Sequence, residues 1–133
     1  MTYYGQELEF GYFRVPDASD PCGALEAAGV ADRIGYNLLA GHGHRYQPAH
    51  LDALALLGVH PRTGRRIRVF QDVGNLPLRP PAAFAKAEAT PGLFSGGRFE
   101  GGLSAGGFLD ATQAMGALAR TQGQSLERSR RRS

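Results

Sequence analysis

Residues 67–81 read IRVFQDVGNLPLRPP, and this stretch decides the fold. Its first part, Ile67–Phe70 and on towards Asn75, is rich in the β-branched and aromatic residues that are typical of a strand. Pro80 and Pro81 follow and predict the start of a helix, because proline is tolerated at the first helical position, where its missing N–H costs nothing. A strand followed directly by a helix is the repeating unit of a parallel α/β sheet.

The same unit recurs on both sides of this stretch. The predicted strands are residues 8–15, 36–40, 67–75 and 99–103. The predicted helices are residues 21–34, 48–57, a helix that opens at Pro81, and residues 109–119. Pro91 and Gly92 are expected to cut the third helix short, because proline has no backbone N–H to donate a hydrogen bond inside a helix. Four alternations predict a parallel sheet with right-handed crossovers, either a small open sheet or half of an eight-fold barrel.

Positive charge is concentrated at the end of the chain. The formal net charge is +3, and residues 127–133 include Arg128, Arg130, Arg131 and Arg132. Without these arginines the body of the chain would be near neutral, so we expect a solvated, disordered tail rather than a nucleic-acid-binding arm. The predicted organisation is one domain over residues 1–126 and a basic tail over residues 127–133.

The first residues carry neither the basic segment nor the apolar segment of a secretory signal. No apolar run approaches the ~20 residues that a membrane helix needs. We therefore expect a cytoplasmic protein without a membrane partner. The turn after the first strand, Pro16–Asp20, contains no glycine, so the G-x-G-x-x-G motif of dinucleotide-binding folds is missing there.

Two histidines follow the second predicted strand. His42 and His44 alternate along the chain, so in extended backbone their side chains face the same way. Such a pair could bind a divalent metal, as in metal-dependent hydrolases, but the site would need more ligands. His50 and His60 fall in or beside the second predicted helix. Three interpretations of these histidines remain open: a metal site, polar loop histidines without a ligand, and a His44 that faces a substrate or cofactor.

Several segments together resemble one family. Residues 72–81 (DVGNLPLRPP), 93–100 (LFSGGRFE) and 102–106 (GLSAG) are similar to segments around the third and fourth strands of bacterial luciferase-like monooxygenases. His44–Ala49 is similar to the loop after that family's second strand, although Gly43 stands where the family has an acidic residue. The similarity runs in unbroken order over residues 7–126.

The resemblance implies half of a (β/α)8 barrel that binds FMN or a deazaflavin coenzyme and acts on a small organic substrate as an oxidoreductase or monooxygenase. By position, His44 resembles the family's active-site histidine, and no metal ligand is implied. Val73–Asn75 resembles a bulged segment behind the flavin ring. The residues expected to bind the cofactor are Val73, Gly74, Asn75, Ser104, Ala105 and Gly106.

The chain is too short for that family's whole barrel. Phosphate groups commonly bind in barrel loops after strands seven and eight, which a four-strand chain lacks, so we expect weak flavin binding. Parallel sheets are normally covered on both faces, and open strand edges pair with other chains, so an uncovered inner face predicts a homo-oligomer. The residues expected on that face are Phe10 or Phe13, Leu38 or Leu39, Val69 and Leu103. The alternative functions are a truncated or inactive oxidoreductase, a metal-dependent hydrolase that uses His42 and His44, and a non-catalytic fragment.

Overall fold

The computed structural model describes residues 7–59 and 66–118, together with residues 5, 120, 121, 123, 124 and 127. The strands are β1 (Gly11–Arg14), β2 (Leu38–His42), β3 (Arg68–Asn75) and β4 (Phe99–Ser104). The helices are α1 (Pro21–Ile34), α2 (Ala53–Val59), α3 (Pro81–Ser95) and α4 (Leu109–Ala114). Of the predicted basic tail, only Glu127 belongs to this described part.

The four strands form one sheet in the order β1-β2-β3-β4. Every neighbouring pair is parallel, and Leu39 of β2 lies between Tyr12 of β1 and Val69 of β3 in the register. Each connection between neighbouring strands contains a helix. The predicted α/β fold, with four parallel strands alternating with helices in half-barrel order, is confirmed. In the described part of the chain no helix is long and apolar enough to cross a membrane.

Helix α1 has the bounds that its end signals predict. The Asp20 side chain caps its start by accepting a hydrogen bond of 2.9 Å from the backbone N–H of Gly23. The helix ends at Gly35, whose φ of 98° is a left-handed conformation that glycine adopts without strain. Local signals at both ends therefore fix this helix.

The prediction for α2 was wrong at its start. Residues 48–52 are not helical, because the backbone N–H of His50 instead closes a turn onto the carbonyl of Gln47 (3.0 Å). The Asp52 side chain accepts from the backbone N–H of Ala55 (3.1 Å), and the helix begins at Ala53. Strand β2 correspondingly extends to His42, two residues beyond the predicted end.

The prediction for α3 was wrong at its end. Pro91 lies buried inside the helix, which continues to Ser95. Its last turn is closed by Gly97, whose N–H donates to the carbonyl of Gly92 (2.9 Å). Burial of the Pro91 ring and this terminal bond offset the backbone bond that proline cannot make. Helix α4 is shorter than predicted and ends at Ala114.

The core lies on one face of the sheet, between the sheet and the helices. Its buried cluster joins Leu39 and Val69 to helix residues, and the buried members are Ala28, Ala31, Leu39, Leu57, Ile67 and Val69. Val69 and Leu103 were predicted on the inner face, and both predictions were wrong. Val69 packs against the helices, and Leu103 pairs in the register with Gly74, which faces Phe84 of α3. Strand alternation places Phe13, Ala40 and Phe70 on the opposite face, where Phe13 is about half exposed.

Candidate active site

The candidate site lies where β2, β3 and β4 end. His42, the last residue of β2, pairs in the register with Asp72, and Asn75 at the end of β3 pairs with Ser104 at the end of β4. The carboxyl ends of parallel strands meet at one edge of a sheet, and that edge is where α/β folds bind ligands. The polar strand ends of this chain are therefore gathered at the edge where a site is expected.

Strand β3 is irregular just before its end. Its register with β4 shifts between Gln71 and Gly74, and the Asp72–Val73 peptide bond is cis. Val73 and Asn75 both face a cavity at the strand ends. Gly74 faces the other way, since a side chain there would collide with the ring of Phe84 in α3. The bulged segment that the sequence suggested is thus present at residues 71–75.

The cavity at this edge has a volume of about 170 Å³. Four of the predicted site residues, His44, Val73, Asn75 and Ser104, line it. The full lining is Gly43, His44, Tyr46, Val73, Asn75, Ser104, Gly107 and Phe108. The structure therefore brings together residues from the β2 loop, β3 and the segment after β4.

Gly74, Ala105 and Gly106 were also predicted as cofactor-binding residues, and they are not among the residues that line this cavity. Gly106 instead shapes the turn after β4, where its φ is 89° and its N–H donates to the Ser104 hydroxyl (3.1 Å). A side chain at position 106 would come within 3.3 Å of the Asn75 amide oxygen. Glycine at this position therefore leaves room for Asn75.

Sequence reasoning missed the aromatic wall of the cavity. The rings of His44 and Tyr46 are stacked with centroids 5.1 Å apart, and Phe108 meets both, at 5.5 Å from His44 and 5.4 Å from Tyr46. Tyr46 follows His44 by two residues and Phe108 follows the Gly106–Gly107 turn. Their positions beside predicted site residues were the available signal. The wall gives the cavity a largely apolar side against which a flat ring could pack.

Three histidines cluster at the end of β2. The ring centroids of His42 and His44 are 3.6 Å apart, and those of His42 and His50 are 5.8 Å apart. Burial lowers the pKa of His44 below its usual value, and the neighbouring His42 and His50 lower it further. Burial and then His50 lower the pKa of His42, while Asp72 acts in the opposite direction. Both imidazoles are therefore neutral at pH 7 and can accept a proton.

We expect this cluster to make the fold sensitive to mild acid. Because the folded-state pKa values of His42 and His44 lie below those of the unfolded chain, the unfolded chain binds more protons as the pH falls below about 6.5. The free energy of unfolding should be highest at neutral pH and should decrease between about pH 7 and 5.5. Urea titrations across this range measure it.

The variant His42→Phe is the control for the acid effect. It keeps a ring against Phe13, whose centroid lies 5.5 Å from that of His42, but removes one titrating group. Its free energy of unfolding should depend less on pH than that of the natural chain. An equal pH dependence in both proteins would show that the histidine cluster is not its source.

Partly buried charged side chains hold the loop that carries His44. The Arg45 side chain is only 12% exposed and reaches the Asp52 carboxylate at 3.1 Å. Arg79, just before α3, contacts the same carboxylate oxygen at 3.2 Å. Burial lowers the pKa of Arg45, and Asp52 opposes that shift. Asp52, the capping residue of α2, therefore ties the His44 loop to the start of α3.

Within the described part of the chain, the side-chain oxygen of Asn75 is buried and has no hydrogen-bond partner. Asn75 itself is 6% exposed and lines the cavity. Leaving a buried polar atom unpaired costs about 1–3 kcal/mol. The atom is therefore a ready acceptor for a donor that enters the cavity.

A larger groove of about 640 Å³ lies elsewhere, between α2 and α3 on the outer face. Arg79 is the one ionisable residue in its lining, and the other lining residues are Leu54, Ala55, Gly58, Val59, Ala87, Thr90, Pro91 and Phe94. The smaller cavity is the candidate active site, because it holds the histidine and lies at the strand ends. Among the described residues, no group of three or more His, Cys, Asp or Glu is arranged to hold a metal ion.

The comparison with protein families decides the family. A family model described as luciferase-like monooxygenase matches residues 8–132. The chain belongs to this family. No curated protein matches the sequence significantly. Membership in the luciferase-like family confirms the resemblance seen in residues 7–126 and gives the metal-dependent hydrolase alternative no support.

Solved structures agree with the luciferase-like fold. One is the FMN-bound oxygenating constituent of 3,6-diketocamphane monooxygenase from Pseudomonas putida, a type II Baeyer–Villiger monooxygenase (18% identity, TM-score 0.77, 92% of this chain and 38% of that chain). Another is an F420-dependent secondary alcohol dehydrogenase with an F420–acetone adduct (20% identity, TM-score 0.80, the same coverages). This luciferase-like chain thus spans about two fifths of their length.

Proposed function

We propose that the chain is the part of a luciferase-like oxidoreductase that carries the active-site histidine and one wall of the flavin site. The observation that supports this most directly is the shared cavity of His44, Val73, Asn75 and Ser104 at the strand ends. The cofactor would be FMN or a deazaflavin, since similar structures are described with FMN and with F420. A small organic substrate and a cytoplasmic location stay predictions of the sequence.

The residues present fit a flat, polar-edged cofactor. Asn75 offers a buried, unpaired acceptor, and Val73 of the bulged segment lines the same cavity. We propose that Val73, Gly74 and Asn75 back the cofactor ring, and that Ser104, Ala105 and Gly106 shape the opposite side. When bound, the flavin would supply the redox chemistry, and the protein would supply position and electrostatics.

His44 is the residue we propose to touch the substrate or cofactor. Its imidazole is neutral at pH 7, because burial and the adjacent His42 lower its pKa. The ring nitrogen that carries no proton can therefore accept one. Tyr46 and Phe108 pack on the ring and hold its orientation. His42 has no place in the cavity lining, so its replacement should matter less for turnover.

Titration of FMN with the purified chain tests the proposal. Flavin fluorescence should be quenched saturably but with weak affinity, because a cavity of about 170 Å³ is smaller than the ~300–1,000 Å³ of typical ligand pockets. The variant His44→Ala should lower turnover with reduced FMN and oxygen about a hundredfold, the scale of acid–base catalysis.

Far-UV circular dichroism should show that His44→Ala is folded, and His42→Ala should lose less turnover than His44→Ala. Equal turnover in His44→Ala and the natural chain would reject the role of His44. No quenching of FMN, and no binding of a 5-deazaflavin in its place, would leave the non-catalytic fragment as the better description.

A further inference from the structure

The cavity beside His44 has room for a single ring. Its volume of about 170 Å³ equals that of roughly six water molecules, at ~30 Å³ for each in the liquid. An aromatic ring with one small substituent fits this space, whereas the fused ring system of a flavin is larger than the cavity. Within the proposed function, the cavity therefore suits the substrate better than the whole cofactor ring.

One side of the cavity is aromatic and partly open. The ring of Phe108 contacts those of His44 and Tyr46, with centroids 5.5 Å and 5.4 Å apart. Phe108 nevertheless leaves 58% of its surface exposed, so part of its ring is free to pack on a molecule in the cavity. Aromatic rings prefer edge-to-face or offset contacts with centroids about 4.5–7 Å apart. This wall therefore favours a flat ring over a flexible chain.

The polar side of the cavity lacks a donor for one buried atom. Within the described residues, the side-chain oxygen of Asn75 is buried and has no hydrogen-bond partner. The Ser104 hydroxyl accepts the N–H of Gly106 at 3.1 Å, and its own hydrogen remains able to donate. A ligand hydroxyl can both donate to Asn75 and accept from Ser104. A ketone or an ether can only accept, so it would leave Asn75 unpaired.

We propose that this cavity binds a small phenol, with its ring against Tyr46 and Phe108 and its hydroxyl on Asn75. The aromatic wall selects the ring, and Asn75 selects the hydroxyl, because a ligand without a donor leaves a buried acceptor unpaired. His44 lines the same cavity, so the bound hydroxyl would lie beside the residue proposed to accept a proton. The inference rests on the proposed function only in taking this ligand as the substrate.

Nuclear magnetic resonance on the isotope-labelled full chain, without flavin, tests the ligand class. Phenol should shift the signals of the Asn75 side-chain amide and of Phe108 saturably, with a Kd of roughly 1–10 mM for so small a ligand. Anisole has the same ring but carries a methyl ether in place of the hydroxyl, so it should bind about tenfold more weakly. Cyclohexanol keeps the hydroxyl without the aromatic ring and should bind about fivefold more weakly.

Two variants separate the contributions of the wall and the acceptor. Asn75→Leu should bind phenol and anisole about equally, because the buried acceptor is gone. Phe108→Ala should weaken phenol binding about fivefold, since it removes a ring from the wall. The matched control Phe94→Ala removes a ring that is 82% exposed and lines the outer groove between α2 and α3, so the affinity for phenol should not change. The comparison of phenol with anisole on the natural chain needs no variant and decides the question if Asn75→Leu does not fold.

Equal affinities of the natural chain for phenol and anisole would overturn the inference. So would shifts confined to the groove that contains Phe94, or an absence of phenol binding up to its limit of solubility. FMN quenching, measured separately, distinguishes the two proposals, since quenching without phenol binding rejects this inference and leaves the proposed function standing. Displacement of phenol by FMN would also reject it, because the cofactor would then occupy the cavity. Phenol binding without FMN quenching would support the ligand class and count against the flavin site.

Discussion

An alanine at position 43 should destabilise the chain by at least about 3 kcal/mol, the upper range for overpacked sites, and abolish flavin binding. A Cβ atom on residue 43 would collide with the carbonyl of Val73. That carbonyl belongs to the bulged backbone of β3 and cannot rotate away as a side-chain end could. The collision would push the His44 loop away from Val73 and Asn75, which together line the cavity. Urea denaturation and FMN fluorescence measure the two losses.

Gly92→Ala is the matched control for Gly43→Ala. Gly92 lies inside α3, and a Cβ there would meet no atom within 4 Å. The same substitution should therefore be neutral or stabilise the helix by up to about 1 kcal/mol. Similar stabilities for Gly43→Ala and Gly92→Ala would show that the loop after β2 does not lie against β3 in solution.

The same contact explains a departure from the family pattern. The resemblance places an acidic residue before the active-site histidine, where this chain has Gly43. The backbone N–H of Gly43 donates to the carbonyl of Asp72 at 3.3 Å, so the loop lies directly on β3. An acidic side chain would not fit this close approach. The ring that lies beside the His44 imidazole in this chain is that of His42, with the two centroids 3.6 Å apart.

Local signals made much of the fold predictable from the sequence. The Asp20 cap and Gly35 fixed both ends of α1, and the strand-helix alternation fixed the parallel order. The errors arose where local signals compete with packing. Pro91 reads as a helix end, yet the buried ring remains inside α3. Pro48 reads as a helix start, yet the Asp52 cap places that start at Ala53.

The candidate site was predictable where the resemblance had motifs and not where contacts join distant residues. His44, Val73, Asn75 and Ser104 belong to such motifs and meet in one cavity. The wall formed by Tyr46 and Phe108 depends on a contact across about half the chain, which no periodicity reveals. Which face of the sheet Val69 occupies depends on the side against which the helices pack, and this too is a contact between distant residues.

Leu57→Ala should cost about 2–5 kcal/mol of the free energy of unfolding, as buried leucines generally do. Leu57 is 1% exposed and belongs to the core cluster between α2 and the sheet. It also fills the space beside Gly41, where a Cβ atom would approach its side chain to 3.1 Å. Truncation would therefore leave a cavity beneath the end of β2, beside Gly41, the residue that precedes His42.

The matched control for Leu57→Ala is Leu93→Ala. Leu93 lies on the exposed face of α3, so its truncation should change the free energy of unfolding by less than about 0.5 kcal/mol. Urea denaturation should compare both variants with the natural chain at one protein concentration. Against a total stability of about 5–15 kcal/mol for a typical domain, Leu57→Ala should remove a substantial share of the free energy that keeps the chain folded. A loss as small as that of Leu93→Ala would mean that α2 does not pack beneath β2, and the His44 loop would then lose its support.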